Sequence, residues 1–319
     1  MADSQKRLRR HITKLIASSV VRGSHRGESH GGAFVLDLEK QSVLRTLDWS
    51  NTDIEWHGAG CGRGLRGIAF DDDIVYIATS DELLAYTPKF EEVGSWRNPF
   101  LKYCHEIMVW ERTLYLTSAG YDSILGFDLD AQKFCWAMHV QSKNYRFMAS
   151  IYDPLSDDGP LPLNKYQLNN VHCNQHGMYI TGLRTSGMLH FNGKHIRMAV
   201  ELPDGSLNAQ PFRDGVLFND SDAGVLRYTG RGEGEEDRAM AMPAIDAGQL
   251  NHSDAMADGL AKPGFARGLC VLSDRLVAGG SSPSTISLYD LAANETLGSV
   301  SLSLDVRSTI HSLAQWPFD

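Results

Sequence analysis

No apolar run in this sequence approaches the roughly 20 residues that a membrane-crossing helix needs. Cysteine is scarce, 5 in 319 residues, with no CxxC pair. An odd, unpatterned set of thiols is not a disulfide framework, so a reducing cytoplasm is the expected home. Basic residues are in deficit: Lys and Arg number 30 against 39 Asp and Glu, a formal charge of −9. That balance argues against a broad basic footprint for nucleic acid. There is no HExxH and no Cys/His cluster with metal-ligand spacing. No long segment carries a helical apolar period.

The N-terminus, MADSQKRLRRHITKLIASSVV, is basic and then apolar, which mimics a secretion signal. Lys14 and two serines break the apolar part, and no good small-residue cleavage site follows. Residues 1–11 therefore read as a basic, solvated tail, and 12–22 as a first strand.

What the sequence has instead is a repeat. An apolar strand ending in an aromatic or Leu, then a polar turn, recurs six times: Ala33–Asp37 (AFVLD), Leu83–Thr87 (LLAYT), Ile124–Asp128 (ILGFD), Met188–Asn192 (MLHFN), Val225–Thr229 (VLRYT) and Ile286–Asp290 (ISLYD). Before each of the last five lies a strand–turn–strand pair, such as GIAFDDDIVYIATS or GLCVLSDRLVAGG, and a further strand such as KFCWAM follows the turn. Four-stranded antiparallel units repeated around an axis predict an all-β, six-bladed β-propeller. The first unit lacks its innermost strand, while Thr309–Gln315 reads as an inner strand with nothing after it. The expectation is one propeller domain over 12–319, closed by pairing the C-terminal strand into blade 1, which also removes a free edge. The blades are expected at 310–315 with 12–47, then 64–97, 102–138, 167–200, 207–242 and 265–300. Three long linkers remain, 48–63, 139–166 and 243–264, all expected on the face where the inner strands begin.

Aligning the inner strands gives Arg66-Gly-Ile, His105-Glu-Ile, Asn169-Asn-Val, Asn208-Ala-Gln, Arg267-Gly-Leu and His311-Ser-Leu. The step from the first residue to the repeat aromatic is 20 or 22 residues in the five complete blades, which places these side chains at one level near the axis. The expected ring is His311, Arg66, His105, Asn169, Asn208, Arg267. Guanidinium forks match carboxylate, phosphate or sulfate. Amides donate and accept, and histidine serves as acid or base. The set points to a small anionic molecule, with Arg66, Arg267, Asn169 and Asn208 binding it and His105 or His311 transferring a proton. One alternative is a divalent metal ion held by His105, His311 and His172, since imidazole suits zinc, iron and copper. Two arginines beside a dication would need a bridging anion, and His172 lies off the ring register. The other alternative is a non-catalytic binding or interaction propeller with an exposed apolar patch on the insert face.

Several further features have plain structural readings. Asn219-Asp-Ser-Asp222 could bind calcium but reads better as an Asx-type turn. His57, Cys61 and Asn251-His-Ser-Asp254 lie in the inserts. Cys104, Cys173 and Cys270 lie in inner strands and read as buried structural thiols. His25, Arg26 and His30 are candidate lid residues in the loop of blade 1. Residues 233–237 (EGEED) read as a solvated acidic loop.

The stretches CHEI (104–107), LNNV (168–171) leading to MYITGL (178–183), FRDGVLFNDSDAGVL (212–226) and PGFARGL (263–269) resemble a family of bacterial conserved-hypothetical proteins with a propeller-like repeat. The match runs in the same order over most of the chain, though each motif is short. The resemblance implies the propeller fold and the polar ring, and no established reaction. Where that family shows His-Ser-Pro this chain has Asn208-Ala-Gln, and Gln167 stands where a histidine often precedes Leu-Asn. Both departures weaken a metal or acid–base role carried over from it. Nothing in the sequence speaks to the oligomeric state.

Overall fold

The computed structural model describes residues 14–51, 63–232, 236–257, 259 and 261–318. The basic tail, His57 and Cys61 lie outside the described residues. The described strands form six antiparallel sheets, a six-bladed β-propeller. Blade 1 contains β1 (Lys14–Val21), β2 (Gly32–Asp37) and β3 (Ser42–Asp48). Blade 2 is β4 (Ile68–Asp71), β5 (Ile74–Ala78), β6 (Glu82–Tyr86) and β7 (Glu92–Arg97). Blade 3 is β8 (Ile107–Trp110), β9 (Thr113–Ser118), β10 (Ser123–Asp128), β11 (Lys133–Lys143) and β12 (Arg146–Tyr152). Blade 4 is β13 (Leu168–Asn174), β14 (Gly177–Gly182), β15 (Gly187–Phe191) and β16 (Ile196–Glu201). Blade 5 is β17 (Ser206–Phe212), β18 (Gly215–Asp220), β19 (Val225–Gly230) and β20 (Arg238–Ala241). Blade 6 is β21 (Leu269–Val271), β22 (Leu276–Ser281), β23 (Thr285–Asp290) and β24 (Glu295–Ser301). The last strand, β25 (Ser308–Gln315), pairs antiparallel with β1 and completes blade 1, as expected from the unpartnered C-terminal strand.

Blade 3 departs from the expected pattern. Residues 139–152, expected as linker, form the end of an eleven-residue β11 and a fifth strand, β12. The hairpin turns at Asn144 and Tyr145, both with positive φ. Gln141 and Ser150 tie its two strands by a 2.8 Å side-chain hydrogen bond.

By internal contacts the chain falls into two compact units. The central unit holds residues 66–220 and 230–235; the terminal unit holds 1–65, 221–229 and 236–319. In the central unit, successive sheets bury their apolar faces on one another. Tyr76, Leu83, Leu114 and Phe127 form one cluster; Met138, Leu168, Val171 and Ile180 form the next; Met188, Ala209 and Phe218 form a third. In the terminal unit Leu15, Leu36, Ile286, Ile310 and Leu313 pack together. The repeat aromatic explains this layering. Leu36, Tyr86, Phe127, Phe191, Tyr228 and Tyr289 are all buried, at the same place in every blade. Removing each from water contributes on the order of 1.5–3 kcal/mol.

The polar residue after that aromatic also has one repeated job. Asp37, Asp128, Asn192 and Asp290 each accept backbone N–H bonds from the turn leading to the outer strand, and Thr87 does the same through its hydroxyl. A short side-chain acceptor two or three residues upstream closes such a turn without help from other elements.

Asp122 plays a larger part. It is buried, and its carboxylate accepts from the backbone N–H groups of Lys165 (2.6 Å), Tyr166 (2.8 Å) and Gln167 (3.1 Å). This clamp ties the loop of blade 3 to the segment that enters the inner strand of blade 4. Asp122→Ala removes the acceptor and leaves those donors without it, at about 3 kcal/mol. The expected result is a lower denaturant midpoint with an unchanged m-value in urea unfolding followed by circular dichroism.

Candidate functional site

The inner strands of the blades are irregular at the level where the expected ring residues lie. In blade 2, Arg66 N–H donates to Ala78 O (2.8 Å) while Ala78 N–H donates to Gly67 O (2.9 Å), so two residues face one. In blade 6 the same pattern joins Arg267 and Gly268 to Gly280. Asn169 is the extra residue between the pairs Leu168–Gly182 and Asn170–Thr181. His311 is the extra residue between Ser312–Ser18 and Ile310–Ser19. In blade 5 the register slips between Leu207 and Gln210, where Asn208 has φ 55°. In blade 3 the Thr117 hydroxyl accepts from both His105 N–H (2.9 Å) and Glu106 N–H (3.1 Å). A bulge re-aims the side chain it carries, and here every blade has its irregularity at or beside the candidate residue.

In the central unit these side chains build a buried polar network. The Asn208 amide donates to Glu106 Oε1 (2.8 Å), and Asn219 donates to Asn208 Oδ1 (3.1 Å). The Arg66 guanidinium donates to the carbonyl of Cys104 in the next blade (2.5 Å). Asn169 donates to Ser206 O (3.1 Å), and Asn170 donates to Ala209 O (2.6 Å). Arg66, Glu106, Asn169, Asn170, Asn208 and Asn219 are all buried. The blade 3 side chain that meets Asn208 is thus Glu106, and His105 beside it is half-buried. Glu106, a carboxylate that the expected ring does not include, takes part in this network. The Glu106–Asn208 bond joins blades 3 and 5, on either side of blade 4.

In the terminal unit, a guanidinium nitrogen of Arg267 hydrogen-bonds His311 Nε2. Arginine has donors only, so Nε2 accepts, and the imidazole is neutral with its proton on Nδ1. His311 is 1% exposed.

Other sequence candidates are drawn into structural roles. His30 is fully buried, 2.8 Å from the Ser24 hydroxyl and edge-on to Trp49, and burial pushes its pKa down. It is an internal strut and not a lid; His25 and Arg26 are exposed. His172 hydrogen-bonds Gln210 of the neighbouring blade and is also pushed down by burial. Among the described residues no three His, Cys, Asp or Glu side chains converge as a metal set, so His105, His311 and His172 do not form one. Cys104, Cys173 and Cys270 are buried, and burial pushes each thiol up to about 12. They stay protonated and inert at neutral pH. Asn219 takes part in the polar network. The carbonyls of Ser221 and Asp222 accept from the Lys262 ammonium (3.2 and 2.9 Å), which disfavours a calcium ion on those oxygens. Asn251 bridges to Asp305, and its backbone exchanges bonds with Leu304 and Val306, so it anchors the last insert. A surface groove of about 690 Å³ in the terminal unit is lined by residues including Leu38, Glu39, Arg275, Leu276, Asp290 and Leu297. None of the ring candidates lines it.

No protein-family model matches this sequence, and no curated protein sequence matches it. Solved structures do. A protein of unknown function from Bacteroides caccae is 10% identical, over 95% of this chain and 98% of that one, with a TM-score of 0.56. A chain in a nidogen/laminin complex is 11% identical, over 94% and 97%, also with a TM-score of 0.56. Identity this low shows a shared fold and nothing about ligands or partners.

Proposed function

We propose that this propeller binds a small anionic molecule through polar side chains of its inner strands, with Arg267 and His311 as the main contact. The observation that carries the reading is the hydrogen bond between those two side chains. It holds a guanidinium, which can only donate, against a buried imidazole on the inner strands. Carboxylate, phosphate and sulfate oxygens are the natural complements of such a set. In the central unit, taken by itself, Arg66, Asn169 and Asn208 are candidate anion contacts of the same chemistry. Any proton transfer at His311 runs through Nδ1, the nitrogen that carries the hydrogen. The inner-strand motifs CHEI, LNNV and PGFARGL resemble those of a bacterial conserved-hypothetical propeller family, which supports reading them as one set.

The test is a thermal-shift screen of carboxylates, phosphates and sulfate on the purified protein. A specific ligand at 100 times its Kd adds about 2.7 kcal/mol, a rise of about 5 °C in a domain of this size. Arg267→Ala is expected to abolish that rise while keeping a cooperative melt. A ligand-induced shift that survives intact in Arg267→Ala and in Arg66→Ala removes the anion clamp from the account.

A protein-interaction propeller is a second reading, favoured by one observation. Six exposed large apolar side chains lie between residues 145 and 163, around and after the β11–β12 hairpin.

A further inference from the structure

The β11–β12 hairpin gives blade 3 a fifth strand, while among the described residues each of the other five sheets has four. β12 is the outermost strand of that sheet: β11 pairs with one edge, and among the described residues no strand pairs with the other. An uncovered strand edge is a row of backbone donors and acceptors ready for another strand. Natural edges are commonly blunted by proline, inward-pointing charge or shortness. β12 has seven residues, Arg146–Tyr152, with no proline and one charge, at its first position.

The surroundings are apolar as well. Tyr145, Met148, Ile151, Leu155, Leu161 and Leu163 are six of the eleven exposed large apolar side chains among the described residues. They fall within 19 consecutive positions, with Ile151 at 55% and Leu161 at 70% exposure. Scattered singly, such residues need no explanation; gathered beside an open strand edge they mark an interaction surface.

The charges around β12 choose the partner. The hairpin enters with Lys143 and Arg146, paired across the turn, and the chain leaves β12 through Asp153, Asp157 and Asp158. The strand is therefore basic at its start and acidic past its end. An antiparallel copy of itself reverses that polarity and sets each basic end against the other's acidic end. Centred on Ala149, the pairing puts Met148 opposite Ser150, Phe147 opposite Ile151 and Arg146 opposite Tyr152, one residue from Asp153. Such a contact is self-complementary about a two-fold axis, the arrangement that closes a dimer.

We propose that the chain forms a two-fold homodimer by antiparallel addition of β12 to β12 of a second copy, with the exposed apolar side chains of residues 145–163 buried around the joined strands. Opposite charges across paired strands favour this register, and like charges disfavour the parallel one. The surface shares no residue with the Arg267–His311 pair, so its failure and that of the anion reading are distinguishable.

The experiment is light scattering on the size-separated full-length protein over a range of concentrations. Twice the chain mass is expected for the native sequence, and a shift to the monomer for Met148→Lys/Ile151→Lys. Those side chains are exposed, so the double variant keeps the native circular dichroism spectrum. Arg146→Glu is expected to weaken the dimer at low salt. In a Cys135→Ser background, Ala149→Cys places two thiols directly opposite each other, and mild oxidation gives a covalent dimer on a non-reducing gel; Val93→Cys gives none. A monomer at every concentration with no Ala149→Cys cross-link overturns the proposal. So does a dimer that Met148→Lys/Ile151→Lys leaves intact.

Discussion

A chain ending at Arg307 is expected not to fold. The deletion removes β25, which holds the inner position of blade 1 and pairs with β1 from Leu15–Gln315 to Val21–Ser308. Thr309, Ile310, His311 and Leu313 on this strand are buried, and Trp316 beyond it is buried too. Ile310, Leu313 and Trp316 together lose roughly 5–9 kcal/mol of apolar burial at 1.5–3 kcal/mol each. That is comparable with the 5–15 kcal/mol by which a typical domain is stable at all. The loss extends past these side chains. It strips one edge of β1, whose residues Leu15, Ile16, Ala17, Ser18 and Ser19 are buried, and leaves the backbone groups of that edge without β25. Ser312 N–H also donates to Ser18 Oγ (3.1 Å), and Trp316 N–H to Lys14 O (3.0 Å). The truncated protein is expected to lack a cooperative thermal transition by near-ultraviolet circular dichroism and to be cleaved rapidly by protease. Adding the missing strand back as a peptide should restore part of the signal. A truncated chain that melts cooperatively within a few degrees of the full-length protein would show that blade closure does not hold this fold together.

The blade count and the closure were legible because each rests on a local pattern with one physical meaning. The buried aromatic or Leu recurs because every blade needs one plug, and the Asp, Asn or Thr after it closes the same turn in five of the six blades. The side chains at the inner strands were harder. Strand parity assigns faces only while pairing is regular, and every inner strand is irregular at or beside its candidate residue. Glu106 was hidden for that reason: it follows His105, and alternation puts one of the two out of view without saying which. The signal that could have found it is Thr117, a hydroxyl one strand over whose oxygen accepts from both backbone N–H groups. Asn-Asp-Ser-Asp is turn chemistry and points Asn219 to a turn, yet its amide faces Asn208 across the blade. The fifth strand is not legible in the sequence because the turn at Asn144-Tyr145 lacks glycine and Lys143 to Arg146 reads as a polar break. Positive φ at two successive non-glycine residues is a tertiary outcome that propensity does not announce.

Gly67→Ala is expected to be strongly destabilising, and it tests the inner-strand geometry directly. A methyl group built on Gly67 would sit 2.6 Å from Ile107 N, 2.8 Å from His105 O and 2.9 Å from the carbonyl carbon of Glu106. All three are backbone atoms of the neighbouring inner strand, so no side chain can rotate away. The close approach is held by the 2.8 Å bond from Gly67 N–H to His105 O. Room for the methyl requires moving one inner strand from the other, which also disturbs the Arg66 bond to Cys104 O, the Thr117 bonds to His105 and Glu106, and the Glu106–Asn208 bond. Overpacking in a well-packed interior costs about 1–3 kcal/mol even when side chains can yield; with backbone on both sides the upper end or beyond is expected. Gly193→Ala, where the added methyl meets nothing within 4 Å but φ is 89°, is the comparison. It carries only a left-handed backbone penalty of about 1–2 kcal/mol. Urea titrations of the two variants should therefore separate them, with Gly67→Ala the less stable. If the two variants are equally stable, the inner strands of blades 2 and 3 do not approach as closely as the hydrogen bond between them requires. The polar network built on that approach would then lose its frame.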